Sequence, residues 1–164
     1  MKHNQHQLSH SRSRAVSFRL ERWHRWTLYS VGTALLLSGV VWLLAHYFLR
    51  VPGEFGETIN PLEHLSMQLH GAVAMLALFF IGSLLNNHIR RANNARRNQL
   101  TGWLMIVLLI WLTLSGYALY YLVSETNHSI WSLSHWIVGM LLPLLVLWHI
   151  QSGRRLINRL AATT

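Results

Sequence analysis

Four apolar stretches dominate the chain, at roughly residues 27–49, 65–85, 102–123 and 133–150. Each is about 18–23 residues long, enough to cross ~30 Å of hydrocarbon as a helix rising about 1.5 Å per residue. A bilayer core offers no water to backbone N–H and C=O groups, so a spanning chain must satisfy them as helices or as a closed barrel. A barrel needs short alternating strands separated by turn signals, and the sequence has none. The sequence therefore predicts an all-α integral membrane four-helix bundle over residues 19–155. Residues 1–18 read as a disordered basic tail and 156–164 as a second polar tail. The first apolar stretch follows a long polar tail and lacks a small-x-small cleavage site, so it is expected to stay attached as a membrane helix.

The formal net charge of +9 would suggest a nucleic-acid partner if it were spread along the chain. It is segregated instead. Lys2, Arg12, Arg14, Arg19, Arg22 and Arg25 precede the first apolar stretch. Arg90, Arg91, Arg96 and Arg97 lie in the second connector, and Arg154, Arg155 and Arg159 follow the last stretch. The first and third connectors hold Arg50 against Glu54, Glu57, Glu63 and Glu125. The positive-inside rule accounts for this with both termini cytoplasmic, and nucleic acid becomes an unnecessary idea. The expected location is a bacterial inner membrane, crossed several times, with lipid as the main surroundings. Trp23, Trp26, Trp103, Trp131, Trp136 and Trp148 fall near the proposed interfaces, where amphipathic rings belong. The chain has no cysteine, which rules out disulfides, haem attached through CxxCH and cysteine-ligated iron–sulfur clusters.

The histidines carry the functional reading. There are 11, and an ionisable ring inside a spanning helix is costly enough to imply a task. His135 and His149 bracket "HWIVGMLLPLLVLWHI" and are 14 residues apart. That spacing is about 21 Å of rise and nearly four whole turns, so both rings face one way at two depths. His70 sits about one and a half turns into the second helix, at the depth of His135. His24 lies at the cytoplasmic lip of the first helix, at the depth of His149, and His88 competes with it there. Two stacked imidazole pairs fit two stacked haems, each iron with two axial histidines. His46, His64 and His128 read as interfacial or loop residues, and the third helix, without histidine, as a structural wall.

"RWHRW", "HGAVAMLALFFIG", "LTLSGYALYYL" and the "HW…H" pair together resemble the cytochrome b561 and nickel-hydrogenase b-type cytochrome superfamily. The chain looks most like the di-haem gamma subunit of respiratory formate dehydrogenase, over roughly residues 19–155. Carried over by position, the resemblance implies His24 with His149 at a cytoplasmic haem b and His70 with His135 at a periplasmic one. It also implies a quinone site on the cytoplasmic side near the second connector, where Asn87, His88, Asn93, Asn94 and Gln99 offer polar groups. The arginine directly after His24, where the family often has tryptophan, and the extra His88 depart from the pattern. If His88 takes the inner iron, His24 becomes a surface residue or a quinone contact.

The expected function is electron transfer between the quinone pool and a periplasmic or membrane-attached partner, such as a dehydrogenase, an iron–sulfur subunit or a c-type cytochrome. Catalytic residues in the strict sense are not expected, since bis-histidine iron has no open position. Two alternatives belong to other classes. One is a stand-alone, homodimeric quinol oxidoreductase passing electrons to a small acceptor such as superoxide. The other is a non-haem membrane transporter, which would need polar residues at mid-bilayer.

Overall fold

A computed structural model describes residues 21–53, 56–84, 88–94 and 98–161. The N-terminal tail, Asn87, Arg96 and Arg97 lie outside the described residues. Helix α1 spans Arg22–Phe48, α2 Pro61–Leu84, α3 Arg90–Asn94, α4 Gln99–Tyr121 and α5 Glu125–Ala161. Four of these are long and apolar enough to cross a membrane, with the candidate span in α5 covering Glu125–Leu156. The chain is an all-α bundle of four membrane-spanning helices, and its helices reach further than the apolar stretches suggest, α5 by several turns at each end.

The start of α2 follows from local chemistry. Pro61 takes the first helical position, where its missing N–H costs nothing. Asn60 caps it, its Oδ1 accepting from Leu62 N at 2.9 Å. The same Asn60 donates from Nδ2 to Leu49 O at 3.0 Å, which ties the end of α1 to the start of α2. Between them lies a small antiparallel hairpin, β1 (Val51–Gly53) against β2 (Gly56–Thr58), with Val51 opposite Thr58. The apolar pattern gave no sign of it, because three-residue strands are too short to show alternation.

Packing follows the hairpins of the chain. Helix α1 packs along α2 and α4 along α5, α1 touches α5 lightly, and no comparable contact joins α2 to α5 among the described residues. On α2 the buried positions are Glu63, Ser66, Val73, Ala77 and Leu84, which repeat at threes, fours and sevens and so form one stripe. His70 lies in that stripe. The opposite bundle ends keep their charge difference: Glu63 and Glu125 mark one end, Arg22, Arg25, Arg90, Arg154 and Arg155 the other.

Much of the apolar surface, including Phe79, Leu114, Tyr120 and Leu144, faces outward. In water this would be an aggregation hazard; against acyl chains it is the expected surface of a spanning bundle. The buried interior is small and unusually polar. Ser38, Glu63, Ser66, Thr101 and Ser115 are buried beside only a few aliphatic side chains.

Candidate haem-ligand pairs

At the glutamate end, His70 comes nine residues into α2 and His135 ten residues into α5, so helix starts alone bring the two to one depth. Their ring centroids are 6.3 Å apart with planes at 72°. His70 Nδ1 lies 2.9 Å from Ser38 Oγ on α1, and His135 Nδ1 lies 2.8 Å from Ser115 Oγ on α4. At the arginine end, His149 on α5 stands 6.4 Å from His88, centroid to centroid, with planes at 78°. His149 Nδ1 is 2.8 Å from Thr101 Oγ1 on α4. Asn98 is also close, its Nδ2 donating to His149 O at 2.9 Å.

An imidazole–metal bond is ~2.0 Å and a ring nitrogen sits ~1.1 Å from its centroid, so two imidazoles across one metal ion have centroids ~6.2 Å apart. Both pairs have this separation. The described residues hold no group of three or more His, Cys, Asp or Glu placed around one metal position. Among the described residues a metal shared by two imidazoles would thus have no third His, Cys, Asp or Glu ligand, and a haem would bring further ligands of its own. Each pair draws one ring from the α1–α2 half of the chain and one from α4–α5. Because α2 and α5 do not otherwise pack closely, the rings meet across a seam of the bundle.

Of the residues expected at these sites, His70, His135 and His149 stand as the depth argument placed them. The ring beside His149 is that of His88. His24 sits elsewhere on the lip of α1, its ring tilted 32° against Trp23 at a centroid distance of 3.7 Å, with Nε2 3.5 Å from Ser83 Oγ and Nδ1 4.0 Å from Glu21. Straight helix counting from His70 to His88 gives about 27 Å, longer than the ~21 Å between His135 and His149. That count assumes an unbroken α-helix, whereas His88 and Ile89 lie in a π-type turn beyond the end of α2.

The polar groups considered for a quinone are partly engaged. Gln99 Nε2 donates to Asn93 at its carbonyl oxygen (3.1 Å) and Oδ1 (3.0 Å), pinning the connector. Asn94 is exposed. Asn98, which the sequence reading passed over, has φ 49° and ψ 37°, a left-handed conformation that asparagine tolerates better than most residues. Its signal in the sequence is only its place just before the third apolar stretch.

The remaining histidines go to the glutamate end. His46 Nδ1 meets Glu63 Oε2 at 2.9 Å while its ring stacks on Trp42 at 4.7 Å. His46 and His128 also line one cleft with Trp42, Tyr47, Ser129 and Ser132. His64 Nε2 lies 2.8 Å from Gln68 Nε2, on an exposed face.

No family model, curated protein or solved structure matches the chain.

Proposed function

We propose that the protein is a membrane cytochrome b that carries electrons through two stacked haems between a quinone pool and a redox partner at the glutamate-rich end. The observation that carries the reading is the pair of cross-bundle imidazole contacts, at 6.3 and 6.4 Å, each matching the separation that two imidazoles would have across one shared metal ion. Haem iron between two imidazoles supplies reversible one-electron transfer. The chain's own part is to hold His70 with His135 and His88 with His149, and to separate the two pairs along α5. Fourteen residues of one unbroken helix set that separation at about 21 Å. Both pairs lie in spanning helices or at their ends, so the two sites together connect the faces of the membrane.

The charge distribution supports an orientation with both termini and the arginine-rich end in the cytoplasm of a bacterial cell. The quinone site then belongs on that side, beside His149 and the α3–α4 connector, and the glutamate end meets the partner. The short connectors leave no room for a catalytic domain, which favours a separate oxidoreductase or soluble cytochrome as that partner. His88 is our choice over His24 as the ligand opposite His149, because its ring has the separation that shared iron requires.

Purification followed by haem quantification and a visible spectrum tests this reading. The expected result is two b-type haems per chain, one after His135→Ala or His88→Ala, and two after His24→Ala. Wild-type protein that takes up no haem would refute the function, and loss of a haem from His24→Ala with none from His88→Ala would move the inner ligand back to His24.

A further inference from the structure

Three of the five buried polar residues among those described face a site histidine, and each is followed by glycine. Ser38 Oγ meets His70 Nδ1 at 2.9 Å, and a Cβ on Gly39 would lie 3.6 Å from His70 Cε1. Ser115 Oγ meets His135 Nδ1 at 2.8 Å, and a Cβ on Gly116 would lie 3.3 Å from His135 Cε1. Thr101 Oγ1 meets His149 Nδ1 at 2.8 Å, and a Cβ on Gly102 would lie 3.8 Å from His149 Cε1. Nδ1 and Cε1 are neighbouring ring atoms. The hydroxyl takes one, and the missing side chain makes room for the other.

The proton positions follow from what each hydroxyl donates to. Ser38 Oγ has one proton and gives it to Ala34 O at 2.8 Å. Ser115 Oγ donates to Leu112 O at 3.3 Å, and Thr101 Oγ1 to Asn98 Oδ1 at 2.8 Å. At His70 and His135 the oxygen then faces the ring with a lone pair, so Nδ1 carries the ring proton. At His149 the Asn98 amide Nδ2 also stands 3.2 Å from Nδ1, so the Thr101 oxygen fixes the rotation of the ring there, and an Nδ1 proton follows only with iron on Nε2. The opposite arrangement would put the proton on Nε2, and for His135 and His149 the side-chain hydrogen bonds among the described residues all fall on Nδ1. Antiparallel packing keeps the two α4 cradles in register. Thr101 and Ser115 are 14 residues apart on α4, as His135 and His149 are on α5.

We propose that Ser38–Gly39, Ser115–Gly116 and Thr101–Gly102 are positioning cradles that fix the rotation of His70, His135 and His149, and at His70 and His135 the tautomer, so that each offers Nε2 to iron. This rests on the di-haem reading. The cradles also set ligand strength. An Nδ1–H that donates to an oxygen makes its imidazole a stronger electron donor, and stronger donation favours the ferric state. Removing the oxygen raises the midpoint potential of the haem on that histidine and leaves the other haem alone.

The test is a redox titration with haem counting on the purified full chain. Ser38→Ala and Ser115→Ala should each raise one midpoint, the same one. Thr101→Val should raise the other, and Thr101→Ser, which keeps the hydroxyl, should restore it. The expected change in ferric-over-ferrous preference is several-fold and up to about tenfold, the latter about 59 mV for one electron. Should Thr101→Val shed its haem, retention by Thr101→Ser at the wild-type midpoint still supports the proposal, and equal loss from both overturns it. Two haems with unmoved midpoints in all three hydroxyl-free variants would overturn the cradles while leaving the di-haem reading intact. No haem in the wild type would overturn both.

Discussion

The approach of Gly116 to His135 can be put to a graded test. A Cβ there would stand 3.3 Å from His135 Cε1, whereas on Gly39 it would stand 3.6 Å from His70 Cε1. Ordinary carbon–carbon contact is about 3.5–4.0 Å. Gly39→Ala therefore fits, while Gly116→Ala must push the ring by a few tenths of an ångström. Ser115 Oγ holds the neighbouring Nδ1 at 2.8 Å, so the ring cannot shift without losing that bond or leaving its rotamer. An off-rotamer side chain costs about 0.5–1.5 kcal/mol. Alanine in place of a mid-helix glycine returns up to about 1 kcal/mol of helix propensity. Gly39→Ala should thus raise thermal stability slightly. Gly116→Ala should leave it near the wild-type value and yet disturb the His70–His135 pair and, on the di-haem reading, weaken retention of one haem. Thermal unfolding and haem content, measured together, separate the two effects. If Gly39→Ala lowers haem content as much as Gly116→Ala does, the close-approach argument fails.

Glu63 is buried and bonds His46 across the α1–α2 interface. Glu63→Ala should destabilise the bundle by about 1–2 kcal/mol, given a part-exposed imidazole, and the loss should largely vanish in a His46→Ala background; an undiminished loss there would place Glu63's role elsewhere. Asn98 combines a left-handed backbone with bonds to His149 O and Thr101. Asn98→Gly should therefore retain more stability than Asn98→Ala, by about 1 kcal/mol, since an L side chain without asparagine's local bonds resists that conformation. Equal thermal shifts in the two variants would show that the backbone angle is not what selects asparagine.

The spanning helices and three of the histidines were legible because both rest on periodicity. Apolar length gave the spans, and the spacing of His135 and His149 gave one face and two depths. His70 matched His135 because depth depends only on counting from the helix start. The sequence put His24 beside His149, with His88 as competitor; the ring that stands there is that of His88, which lies in a π-type turn after α2, where straight counting loses phase. Ser38, Ser115 and Thr101 were not seen at all. A hydroxyl in an apolar helix usually bonds back to its own carbonyls, as Ser38 does to Ala34. Only the recurrence of Ser or Thr before Gly, at 38, 101, 115 and 152, hinted at a shared purpose. The last of these lies beside the same network, Gly153 standing against Asn98 Nδ2.

The division into two hairpins bears on how the protein comes to be assembled. His70 and His88 belong to the half built around α1 and α2, and His135 and His149 to the half built around α4 and α5. Neither half holds both rings of a pair. Each can settle in the bilayer as a helical pair with its backbone satisfied, but direct packing between α2 and α5 gives little reason for the halves to join. A group that bonds one ring from each half would act as a clasp at two depths. Maturation of the bundle would then be governed by cofactor supply, with the unclasped chain as the form open to quality-control proteolysis.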